Sequence, residues 1–164
     1  MLREPANGAK GVFRRAGIAD CRGLDLLTHN RQVRVEWGDC SPAGRVFYPR
    51  FFEWVNPACH DMLDSGGLDH DTLRETYGLR GVVLKSVNME FSTPAFLGDI
   101  LNITSTVERI GNTSFTILHT AIRDSTIILT GTETRLWVLE DPANPSRIYR
   151  DRIPDRVREI LSSG

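Results

Sequence analysis

The chain reads as an α+β fold, one curved antiparallel sheet of about five strands wrapped around a single long helix. Three observations predict it. Phe51, Phe52, Val55, Ala58, Cys59, Met62 and Leu63 recur at three- and four-residue spacing, the apolar stripe of a helix. Several later stretches alternate apolar and polar residues with the two-residue period of half-buried strands. Short turns join those stretches, so their pairing is mostly antiparallel.

Bulk properties bound the rest. A length of 164 residues suits one domain with a real hydrophobic core. Residues 1–30, with scattered glycines and arginines and no sustained period, are expected to form a partly mobile extension, with a short helix near 24–29. Arg14 and Arg15 there read as a solvated basic arm, with a phosphate contact as the alternative. Residues 31–164 are expected to form the domain. The formal net charge of −1 gives no electrostatic footprint for nucleic acid or an anionic membrane. No apolar run reaches the roughly 18 residues of a membrane span, and no hydrophobic leader core opens the sequence. Cys21, Cys40 and Cys59 lack CxxC spacing, so neither a disulfide framework nor a metal site is expected, and a reducing cytoplasm is.

In order, Val33, Val35 and Trp37 alternate with Arg34, Glu36 and Gly38 as a strand. A polar turn follows over 39–44. Pro49 suits the first turn of the helix, and Gly66 and Gly67 stop it. Pro57 inside it predicts a kink near 53–56. A short helix is expected over 69–77. Strands are expected over 82–91, with Val83, Val87, Met89 and Phe91 on one face, and then over 101–107. Phe115, Ile117, His119 and Ala121 mark another, and 127–139 a long one carrying Leu136 and Val138 opposite Trp137. The turn 141–145 ends the sheet, and 154–161 forms a closing helix. Such a sheet leaves edges that pairing with a second copy would cover.

The chemistry concentrates where the polar turn meets the helix. Unpaired backbone N–H groups and the positive dipole end gather there, a place for an oxygen carrying negative charge. The N–H groups around Phe47 and Tyr48 are the candidates. If 39–41 is extended, Asp39 and Ser41 share one side and Cys40 points away as a structural thiol. Ser41 is not ionised near neutral pH and needs a base. Asp39 is either that base, holding a water with Ser41, or a cap for the turn. Glu53 and His60 on the helix read as solvated or structural groups, His119 as a satisfied strand histidine. A Ser-His-Asp triad built on Ser41 lacks a GxSxG pattern.

The run W-G-D-C-S-P-A-G-R-V-F-Y-P-R-F-F-E-W from Trp37 resembles the signature of hot-dog-fold thioesterases of the 4-hydroxybenzoyl-CoA thioesterase type. That signature runs roughly aromatic-small-Asp-x-Asp-x-x-Gly-x-Val-x-Tyr/His-x-x-Tyr/Phe. The resemblance implies a hot-dog fold, a homodimer or homotetramer with sites between subunits, and a helix N-terminus aimed at the thioester oxygen. It implies an acyl-CoA substrate, no cofactor beyond the CoA of that substrate, and no metal. The family's catalytic carboxylate is the second acid of Asp-x-Asp, and that position here is Ser41. Asp39, Ser41 and Tyr48 are therefore the catalytic candidates. Phe47, Tyr48 and Phe51 around the turn, with Val82 and Val83 from the partner strand, would build the acyl slot. Asn56 occupies a position that the resemblance places near the acyl ring. Arg109 and Ser114, beside the 112–114 turn, are candidates for the CoA phosphates, although that turn lacks the basic residues related enzymes carry. Two functions remain in view: an acyl-CoA thioesterase for an aromatic or medium-length acyl group, and a non-catalytic acyl-CoA-binding protein serving as sensor or scaffold. A dehydratase signature with a helix-start His is not found.

Overall fold

The computed structural model describes residues 26–163. Six antiparallel strands form one curved sheet around a long helix: β1 (Thr28–Arg34), β2 (Leu79–Phe91), β3 (Ile100–Ile110), β4 (Ser114–Arg123), β5 (Thr126–Asp141) and β6 (Asn144–Arg150). The helices are α1 (Pro49–Ser65), α2 (His70–Tyr77) and α3 (Asp155–Leu161). The strand order is β1-β3-β4-β5-β2, with β6 paired to β5.

Four expectations need correction. The first strand lies earlier than its alternation suggested, because β1 pairs with β3 only from Thr28↔Thr106 to Arg34↔Ile100. Beyond that register Val35 N donates to the Asp99 carbonyl at 2.8 Å, and Trp37–Asp39 folds into a 3₁₀ turn. Thr28 and His29, expected in a helix, belong to this strand, while Leu24, Asp25, Cys21, Arg14 and Arg15 lie outside the described residues. The turn near Asp141 does not end the sheet, since Asn144 to Arg150 folds back on β5 as the sixth strand. In β2 the register slips between Leu84 and Ser86, so the inward parity changes along the strand. Val82 is buried, Val83 is exposed, and Val87 and Met89 turn inward again beyond the bulge.

The remaining elements follow the sequence. α1 is one helical element from Pro49 to Ser65 with Pro57 inside it, not interrupted where the sequence predicts a kink, and it buries Phe51, Val55, Ala58, Cys59, Met62 and Leu63. Asp69 caps α2 by accepting from the amides of Asp71 and Thr72 at 3.1 and 3.0 Å. On β3 and β4 the alternating residues Leu101, Ile103, Ser105, Val107, Phe115, Ile117, His119 and Ala121 are all buried.

The core beneath α1 is not continuous. Val35, Phe51, Ala58, Leu101, Ile103 and Leu129 belong to one apolar cluster, and Cys59, Met62, Val107, Ile117 and Trp137 to another. Between them, on neighbouring strands, lie the buried side chains of Ser105, His119, Glu133 and Arg135. A polar seam thus crosses the sheet under the helix.

Candidate active site

Ahead of α1 the signature residues close into a small hairpin. Phe47 N donates to the Asp39 carbonyl at 2.8 Å, Ser41 N to the Arg45 carbonyl at 2.8 Å, and Gly44 N to the Ser41 carbonyl at 2.9 Å. Pro42 and Ala43 fill the turn, and Gly44 takes φ +73°, a conformation side chains with a Cβ resist. Cys40, half-buried with Val46 opposite it, packs on the core, and because Asp39 belongs to the 3₁₀ turn, 39–41 is not the extended segment that would set Asp39 and Ser41 on one side. Val46 N donates to the Ala95 carbonyl at 2.9 Å and ties the hairpin to the loop before β3.

The hairpin decides which amide is available. Phe47 N–H is used by Asp39, Pro49 has none, and Arg50 and Phe51 donate to the carbonyls of Phe47 and Tyr48 at 2.9 and 3.2 Å. Among the described residues, only the Tyr48 N–H of this stretch has no acceptor. Of the two amides that the sequence offered, one is therefore consumed internally. Tyr48 borders an apolar groove of about 260 Å³ with Val46, Phe51, Phe91 and the 92–95 segment. The rings of Phe51 and Phe91 lie 5.3 Å apart.

Asp39 is held on both sides. Its Oδ2 accepts the Glu36 amide at 2.7 Å, and its Oδ1 lies 3.5 Å from Arg50 Nε. Arg50 also donates to the Gly38 carbonyl at 3.2 Å and to Glu53 at 2.5 Å. Asp39 therefore caps the 3₁₀ turn and stays close to the hairpin. Ser41 lines a second hollow with Trp37, Cys40, Pro42, Gly44 and Leu97, and its hydroxyl bonds to no described residue.

The other candidates fall in two further places. Asn56 is exposed on α1, and its Oδ1 accepts from Arg135 Nη2 at 2.9 Å. The Val82 carbonyl also faces Arg135, 3.4 Å from Nη1, with exposed Val83 next along β2. Arg109 and Ser114 lie at the β3–β4 turn, where the Ser114 carbonyl accepts Gly111 N at 2.7 Å. The hairpin adjoins the Ile100 end of β3, so this turn lies about 30 Å away along the strand. Arg158 from α3 reaches the same turn, donating to the Gly111 carbonyl at 2.5 Å. Among the described residues, no group of three or more His, Cys, Asp or Glu is arranged to hold a metal.

Sequence reasoning missed the seam. Arg135 binds Glu133 Oε2 through Nε at 2.9 Å and Nη2 at 2.6 Å, and both side chains are nearly inaccessible. His119 Nδ1 lies 2.8 Å from Ser105 Oγ, while its Nε2 is 3.7 Å from Glu133 Oε2, beyond hydrogen-bond reach. Burial alone would push the Glu133 carboxyl up. The facing His119 ring and the charge and hydrogen bonds of Arg135 outweigh it and hold the carboxyl below its ordinary value. Burial, then the positive charge of Arg135, holds His60 below the usual histidine range. The available signal was opposite charges two residues apart on the inward parity of β5, the parity of Leu129 and Trp137.

Comparison with known proteins gives a consistent set of relatives. The sequence model of the thioesterase-like superfamily matches residues 35–159. The 4-hydroxybenzoyl-CoA thioesterase of Pseudomonas sp. (strain CBS-3) is 30% identical over 139 residues, covering 80% of this chain and 95% of that protein. A solved structure of that thioesterase gives a TM-score of 0.74 at 25% identity, covering 81% of this chain and 98% of the other. A mutant of a 4-hydroxybenzoyl-CoA thioesterase complexed with 4-hydroxybenzoyl-CoA gives 0.75 at 26% identity, covering 83% and 99%. A gentisyl-coenzyme A thioesterase gives 0.68 at 26% identity, covering 81% and 99%.

Proposed function

The chain belongs to the thioesterase-like superfamily, and from that premise we propose that it hydrolyses an acyl-CoA thioester, with an aromatic or medium-length acyl group, to the free acid and CoA. One observation carries the reading: the Tyr48 amide is left without an acceptor at the N-terminus of the 17-residue α1, beside an apolar groove. A thioester oxygen placed there would meet a fixed donor and the positive end of the helix. The acyl group would extend along Phe47, Phe51 and Phe91 toward Asn56, while Val82 and Val83, about 30 Å from Phe91 along β2, would reach it from a second copy. Ser41 Oγ would hold a water, and the Asp39 carboxylate would take its proton. The water oxygen then bonds to the thioester carbon, the C–S bond breaks, and the thiolate leaves to be protonated.

The separation along β3 gives the site its assembly. Arg109 and Ser114 serve a ligand held at Tyr48 only if a second copy supplies them. Accordingly the chain works as a homodimer or homotetramer. β2 is the end strand of the main order, and Val83 and Leu84 are exposed on it, a surface suited to such a copy. No helix of the described residues is long and apolar enough to cross a membrane. A cytoplasmic location, with no nucleic-acid or membrane partner, fits the near-neutral charge. Incubating the purified chain with benzoyl-, hydroxybenzoyl- and fatty acyl-CoA while following free thiol tests the reading. Turnover is expected, and none above background across the panel rejects it.

A second reading, a non-catalytic acyl-CoA-binding protein, draws on Asp39. Both of its oxygens are engaged, by the Glu36 amide and Arg50, and the neighbouring Ser41 supplies no acid. This reading expects acyl-CoA to raise the melting temperature while mass spectrometry finds the thioester intact. Hydrolysis of the bound thioester would exclude it.

A further inference from the structure

Arg135 is buried and charged, and its contacts leave it little freedom. Glu133 takes two of its N–H groups, and the Val82 carbonyl lies 3.4 Å from a third. A fourth N–H, the second on Nη2, reaches Asn56 Oδ1 at 2.9 Å. A guanidinium carries only donors, so the group that Asn56 turns toward it must be the carboxamide oxygen. The other half of the amide, Nδ2, makes no hydrogen bond to a described residue, and Asn56 is exposed. An asparagine ordinarily offers a ligand either a donor or an acceptor by flipping. This one is fixed from beneath by a side chain that cannot itself turn.

We infer that Arg135 is a specificity-determining positioning residue: it clamps the Asn56 carboxamide so that α1 presents an N–H₂ donor to the bound acyl group, which must carry a hydrogen-bond acceptor at that point. The inference rests on the reading that Asn56 borders the acyl slot. It also gives the buried Glu133–Arg135 pair a role beyond packing, since a buried ion pair is a weak source of stability in itself. Acyl groups bearing an ether, carbonyl or phenolate oxygen fit the donor. An aryl amine, whose nitrogen lone pair is drawn into the ring and which offers only N–H, meets the donor with another donor.

The test compares benzoyl-, 4-hydroxybenzoyl-, 4-methoxybenzoyl- and 4-aminobenzoyl-CoA on the full chain, by kcat/KM and by calorimetric Kd. The wild type is expected to favour 4-methoxy over 4-amino by about tenfold, the worth of roughly one hydrogen bond. Asn56→Asp, a change at an exposed position, turns the presented group into an acceptor and should reverse that order. The double variant Glu133→Gln with Arg135→Gln removes both buried charges together and releases the amide to flip. Its preference should fall to within about twofold, with 4-aminobenzoyl gaining. Purely structural roles would move all four substrates equally. If the four are bound or hydrolysed with the same order in wild type and both variants, the inference is overturned while the function stands. If none of the four is bound or hydrolysed, the proposed function fails and takes the inference with it.

Discussion

Phe47 donates its amide to the Asp39 carbonyl at 2.8 Å, and that bond singles out Tyr48 as the residue at the head of α1 whose N–H has no acceptor among the described residues. Tyr48 already has φ −52°, inside the range a proline ring imposes. Tyr48→Pro should therefore keep the fold while deleting the donor. Relative to Tyr48→Ala, which removes only the side chain, kcat should drop by roughly 10²- to 10³-fold. Equal rates for the two variants would remove the amide from the mechanism.

Ser41 stands where the resembling signature carries an acid. Ser41→Asp should raise kcat, and Asp39→Asn should lower it, each by about 10²-fold. The asparagine can still accept the Glu36 amide, so circular dichroism should be unchanged in Asp39→Asn. A rate unaffected by Asp39→Asn would assign that carboxylate to the turn alone.

The lowered Glu133 carboxyl makes a pH prediction. Its folded value is below the ordinary 4.5, so the ionised group contributes stability above that pH and loses it as pH falls through the folded value. Glu133→Gln should cost about 3–5 kcal/mol at pH 7, where Arg135 would be left buried beside a neutral amide. Urea titrations should find the gap between variant and wild type narrowing below pH 4.5. A constant gap would mean that Glu133 does not titrate with folding.

Burial pushes the Cys59 thiol up to about 12, and its side chain is inaccessible beneath α1. Native protein treated with iodoacetamide at pH 8 should be modified at Cys40 well before Cys59. Mass spectrometry of the digest reads this directly, and equal labelling would show that α1 opens readily.

Gly131 lies where β5 meets β2. A Cβ there would come within 2.6 Å of the Asn88 carbonyl oxygen and 2.8 Å of Met89 Cγ. Gly131→Ala should displace β2 and destabilise by about 1–3 kcal/mol, measured as a lower melting temperature. An unchanged melting temperature would mean that β2 yields at this point without cost.

Local pattern carried much of this molecule. The stripe from Phe51 to Leu63 specified α1, and the alternation on β3 and β4 identified inward residues, because periodicity is a property of neighbours in sequence. The run from Trp37 to Trp54 likewise marked the hairpin and helix start. The inward face of β2 was not legible. Alternation cannot register an inserted residue, and the bulge near Lys85 shows only against the partner strand. β6 was hidden because a Pro- and Asn-rich turn also reads as a terminus.

The sequence by itself determined the fold class and the family of the site, since both rest on contiguous residues with fixed spacing. Tertiary structure alone decided that Phe47 spends its amide on Asp39, that Arg50 holds the Asp39 carboxylate, and that Arg135 reaches Asn56, 79 positions away. Those contacts depend on strand register and on how α1 lies across the sheet. Hydrogen bonds between distant side chains leave no period for a sequence to display.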